Sequence, residues 1–139
     1  MSAGELFLVF RPRRGAGVTA WWQRLLHPWR AHVLAVLPLS PGQSLAVDHE
    51  GARLRVEVMD LPAEQAARGL MWAWEAEALR VPLPPPAPPQ ARLRGPMTCV
   101  EVAKALLGLT GLRVLTPHHL RRAVIARGAR PVSPYPAAG

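Results

Sequence analysis

The sequence predicts one mixed α+β domain, a small antiparallel sheet of four to five strands with helices packed on it. Three observations carry that expectation. The chain has 139 residues and is 50% hydrophobic, which suits a single packed core. Residues 31–59 hold three short apolar or alternating runs separated by turn chemistry, the pattern of an antiparallel meander. Two later segments carry helix start and stop signals, at Thr98 and Gly108 and at Thr116-Pro117 and Gly128.

Taken in order, Glu5 to Arg11 (ELFLVFR) is an apolar run suited to a strand, followed by the basic turn RPRRGAG. Thr19 is placed to cap a short helix through Leu26, with Trp21, Trp22, Leu25 and Leu26 at helical spacing, and Pro28 ends it. Ala31 to Leu37 reads as a strand and Ser40-Pro41-Gly42-Gln43 as a turn. Leu45 to His49 reads as a second strand. Arg53 to Met59 (RLRVEVM) alternates as a half-buried third strand would. Asp60 is expected to cap a short helix with Pro62 in its first turn and Gly69 at its end. For Leu70 to Val81 the alternation of Trp72 and Trp74 favours a strand over the helical propensity of EAEALR.

Pro82 to Pro89 is a stiff polyproline stretch, taken as the core of a linker over residues 82–94. The domain is expected to span residues 1–128. The tail, residues 129–139, contains three prolines and no apolar periodicity, and is expected to be extended or disordered until a partner orders it.

The net charge is +8, and all but one of the 17 basic residues are Arg, Lys104 being the exception. Such a field favours polyanionic surfaces, nucleic acid or an acidic protein face. The same Arg bias is what GC-rich coding produces, and a basic cluster such as Arg121, Arg122, Arg127 and Arg130 is usually a solvated face. The single cysteine excludes an internal disulfide framework and a Cys-rich zinc site. No apolar run reaches membrane-span length, and the N-terminal run has its arginines on the wrong side for a signal peptide. His118 and His119 point about 100° apart on a helix and cannot share one ion from one face. No P-loop or dinucleotide-binding glycine pattern occurs, so neither a cofactor nor a metal is expected.

The candidate site starts from Cys99. It stands in the first turn of a helix whose apolar face is Val100, Ala103, Leu106 and Leu107. Free N–H groups and the helix dipole favour a thiolate there and offer donors to an oxyanion. A free Cys is also among the residues most often buried, and on spacing alone packing is the commoner reason for one at such a position. Nucleophilic chemistry needs a base and a group that orients it. His32 opens the strand AHVLAVL, and across the turn the even-numbered residues of the next strand share its face. Asp48 and Glu50 are then the carboxylates that reach it, while His49 points the other way. A His near a strand end can also be purely structural.

These residues, in this order, resemble a known group. Trp29-Arg30-Ala31-His32-Val33 precedes a strand carrying Asp48; then come Gly95-Pro-Met-Thr-Cys99-Val-Glu-Val-Ala-Lys-Ala-Leu-Leu-Gly108 and Leu115-Thr116-Pro117-His-His-Leu120. The pattern is similar to small phage and prophage proteins of the circularly permuted papain-like, NlpC-type superfamily, over most of residues 20–125. The resemblance implies a permuted papain-like fold and a hydrolase cleaving an amide or peptide bond, with Cys99 as nucleophile, His32 as base and Asp48 as the orienting group. The strand SLAVDHE departs from the family in having no aromatic beside that polar residue. The resemblance also implies neighbours among phage or virion proteins and a place in the virion or host cytoplasm, without a membrane. The competing expectation is a non-catalytic virion component whose linker and tail wrap neighbouring chains.

Overall fold

A computed structural model describes residues 4–12, 32–50, 53–83, 98–109 and 114–136. In chain order the elements are β1 (Glu5–Arg11), β2 (His32–Ser40), β3 (Gln43–Glu50), β4 (Arg53–Met59), α1 (Ala63–Trp74), β5 (Glu77–Pro82), α2 (Cys99–Leu107), α3 (Pro117–Ala126) and β6 (Arg130–Pro131). The strands form one six-stranded sheet in the order β4-β3-β2-β1-β5-β6, with every neighbouring pair antiparallel. The α+β class expected from the sequence is present, with more strands than expected.

Strand β1 is central, and its apolar run is continuous because both of its faces are covered. Leu6, Leu8 and Phe10 join Val33, Ala35, Leu79 and Val81 beneath Val100, Ala103 and Leu107 of α2 and Leu120 and Val124 of α3. Phe7 and Val9 turn to the other face, with Leu34, Val36 and Ala46, beneath Ala63, Ala66 and Ala67 of α1. The three alanines let α1 lie close to the sheet.

Helices α2 and α3 begin as their sequences dictate. The Thr98 hydroxyl accepts the Glu101 N–H, and the Thr116 hydroxyl accepts the His119 N–H with Pro117 following it. Gly108 ends α2 in the left-handed conformation. Lys104 is buried in α2, where its ammonium donates to Glu101 Oε1 and to the Val114 carbonyl at 2.9 and 3.2 Å. That pair of bonds fastens the approach to α3 onto α2.

Several expectations are corrected. Asp60 does not cap α1: its carboxylate accepts from Gln43 Nε2 at 2.8 Å, and Pro62 stands at the N-cap without a side-chain bond. The helix runs through Gly69 to Trp74, so Trp72 and Trp74 are helical and the strand covers only Glu77–Pro82. Trp74 packs into the α1-side core, and Trp72 meets Tyr135 edge-on at 6.1 Å. Tertiary contact overrides alternation there. Strand β2 continues past Leu37 to Ser40, with a register shift between Pro38 and Ser40. Strand β4 is not half-buried: Leu54, Val56 and Val58 are all more than half exposed. Arg121 is not a solvated charge, because its guanidinium grips the Glu77 carboxylate with three bonds of 2.7–3.0 Å, joining α3 to β5.

Within the tail, the described residues 129–136 pack on their own chain. Arg130 and Pro131 pair with β5, Val132 is buried, the Trp72 indole donates to the Pro134 carbonyl and Arg68 donates to the Ser133 carbonyl, both at 3.1 Å. The expected helix at 19–26 with Trp21, Trp22 and Trp29, the linker from 84 onward and residues 137–139 lie outside the described residues.

Candidate functional site

The three residues singled out from the sequence come from three elements. His32 is the first residue of β2, Asp48 is the sixth of β3, and Cys99 is the first of α2. Hairpin register puts Val47 across from Ala35 and Ala46 across from Val36. Continued toward the start of β2, alternation puts Asp48 on the same face as His32 and diagonal to it. The His32 Nε2–H donates to Asp48 Oδ1. Their side chains are 15% and 12% exposed, so the bond is shielded from water.

Cys99, half-buried at the edge of the α2–α3 core, lies close enough to the same imidazole to raise its pKa. With Nε2 committed to Asp48, Nδ1 is the nitrogen left for the sulfur. Helix α2 packs over Val33 and Ala35, on the opposite face from Asp48, so His32 makes both contacts only because it stands at the strand end.

Burial is the largest influence on His32 and works to lower its pKa. The bond to Asp48, then the bond to Cys99 and the charges of both, outweigh burial and push it up to about 9. At neutral pH the ring is therefore an imidazolium, with Nε2 donating to the Asp48 carboxylate. Burial tends to raise the Asp48 pKa. The His32 bond and charge, with Arg11 and Arg55, overcome it and hold the carboxyl below its usual value.

Those two arginines were not identified from the sequence. Arg55 lies directly across from Asp48 in the β3–β4 ladder, and counting back from the turn at 50–52 would have found it. Arg11 belongs to β1, whose pairing with β2 no local signal gives. Its guanidinium is stacked over Trp74 at 4.9 Å.

At the start of α2, Thr98 engages two of the first-turn amides, with its hydroxyl on the Glu101 N–H and its carbonyl on the Val102 N–H. The Cys99 and Val100 amides are donors the helix cannot satisfy internally. They lie beside the sulfur, where an oxyanion would form. His49 is buried and paired with Leu54, on the face away from Asp48, as alternation requires. The Glu50 side chain, the alternative orienting group, lies outside the described residues. No cluster of three metal-ligating side chains occurs among the described residues. A groove of about 620 Å³ between α1, β5 and the tail contains none of these three residues, and two of its three arginines, Arg68 and Arg80, are bound by Glu64. No helix among the described residues is long and apolar enough to cross a membrane.

No family model matches the chain, and no curated protein and no solved structure matches it.

Proposed function

We propose that this chain is a cysteine hydrolase of permuted papain-like, NlpC-type architecture that cleaves an amide or peptide bond. The observation behind this is the Cys99–His32–Asp48 chain of contacts. A buried structural cysteine has no need of a charged histidine, and a structural histidine has no need of a thiol at a helix start.

The Cys99 sulfur attacks the substrate carbonyl carbon. The developing oxyanion is held by the Cys99 and Val100 amides. As the tetrahedral intermediate collapses, His32 gives its Nδ1 proton to the leaving amine and Cys99 is left as a thioester. The neutral imidazole then takes a proton from water as hydroxide adds to the thioester, and collapse expels Cys99 as a thiolate beside the recharged imidazolium, the pair with which the cycle began. Asp48 fixes the ring orientation throughout and stabilises the imidazolium whenever the ring is charged.

The test uses a generic acyl donor. p-Nitrophenyl acetate should release nitrophenolate in a burst, with the acetyl group located on Cys99 by mass spectrometry. Cys99→Ala should abolish the burst and His32→Ala should slow it about a hundredfold or more. Acylation of the folded chain at the rate of the denatured chain, or indifference to His32→Ala, would remove the proposal. The rival role as a virion component gains no specific support, because residues 130–136 pack on the same chain.

A further inference from the structure

Strand β4 ends the sheet, and among the described residues nothing pairs with its outer edge. Half of its backbone polar groups therefore have no ladder partner among the described residues. It also carries an apolar row, Leu54, Val56 and Val58, exposed at 51, 54 and 55%. Opposite each of these stands a residue of the other strand that belongs to the helix-covered face: His49, Val47 and Leu45. The row thus continues the face of the α2–α3 core beyond the reach of its helices. On the other face stand Arg55 and Glu57, their side chains 71 and 56% exposed and 3.3 Å apart.

We propose that β4 is a homodimerisation edge, pairing antiparallel with β4 of a second copy about a two-fold axis at Val56. The strand Arg53-Leu-Arg-Val-Glu-Val-Met59 is self-complementary about that residue. Val56 meets Val56 of the second copy, and Leu54 meets Val58. Arg55 meets Glu57 and Glu57 meets Arg55, so the two-fold generates two cross-strand ion pairs. Directly opposed residues stand about 4.5–5.5 Å apart at Cβ, closer than the roughly 7 Å between Arg55 and Glu57 along one strand. Arg55 already faces Asp48. The row across the joined sheets then reads Asp48, Arg55 and the second copy's Glu57, alternating in sign. A shift of one residue would oppose apolar to charged side chains and lose this match.

One short strand pair makes a small interface, so a weak, concentration-dependent dimer is expected. Sedimentation of the full chain from micromolar to millimolar concentration should show monomer passing to dimer. Glu57→Arg and Arg55→Glu should each weaken dimerisation about tenfold or more, because like charges then oppose twice. Arg55→Glu lowers the net positive charge, so generic repulsion alone would predict the opposite change. The double exchange R55E/E57R restores both pairs and should restore the dimer. Val56→Lys, with two ammonium groups on the axis, should abolish it. Circular dichroism confirms that each variant is folded. A wild-type chain that is monomeric throughout, or that binds only a different protein at this edge, overturns the proposal. So does a dimer indifferent to Glu57→Arg and Val56→Lys, or a double exchange that stays monomeric.

Discussion

His32 is governed by opposing forces. Burial alone would leave it neutral at physiological pH, and a neutral ring could accept a proton but not donate one to a leaving amine. The Asp48 bond reverses this. The ring carbon-bound protons of His32, followed by NMR, should titrate with a midpoint near pH 9. Asp48→Asn removes the strongest raising influence, so the midpoint should fall by at least a unit, and Cys99→Ala should lower it by less. Substrate turnover, where observed, should decline on the alkaline side through the same midpoint. A titration near 6.5 in the wild type, or one unmoved by Asp48→Asn, would dissociate the histidine from the site. These residues were legible because their partnership depends on local register: a two-residue period and one tight turn place Asp48 beside His32. Arg11 was illegible because its position depends on long-range pairing of β1.

At the scale of elements, the caps of α2 and α3 were read correctly, while Asp60 and Gly69 at α1 were misread. Thr98, Gly108, Thr116 and Pro117 act through the backbone within one turn, so sequence suffices to place α2 and α3. Gly69 looks like a helix stop by composition, yet α1 passes through it because Trp74 and Met71 beyond it pack into the core. The two glycines therefore predict opposite outcomes. A Cβ at Gly69 would touch nothing within 4 Å, so Gly69→Ala should stabilise the chain by about 0.5–1 kcal/mol. Gly108 has φ 67°, so Gly108→Ala should destabilise by about 1 kcal/mol. Urea denaturation resolves differences of this size, and equal signs for the two variants would contradict the helix assignments. Strand β4 was misread for a different reason. Alternation marks which residues share a face, but not whether a helix or another chain covers that face.

At the scale of the molecule, the sheet joins the triad to folding stability. His32 has a folded-state pKa above its ordinary 6.5, so its contribution is fully present below about pH 6.5 and is lost as pH rises through about 9. Asp48 is shifted the other way. Its contribution is present above its ordinary 3.8 and is lost as pH falls through the lower folded-state value. The pair therefore stabilises most between about pH 4 and 6.5 and less on either side. The alkaline loss is bounded at about 3 kcal/mol by the His32 shift, part of which belongs to Cys99. The unfolding free energy of the wild type should fall between pH 6 and 9.5, and that of Asp48→Asn should fall markedly less. Subtracting the two profiles removes the groups they share. Asp48→Asn should also be less stable than the wild type at pH 6, by about 1–3 kcal/mol, because His32 is left buried beside a weaker partner. Parallel profiles for the two proteins would mean that the His32–Asp48 bond does not couple the site to the fold.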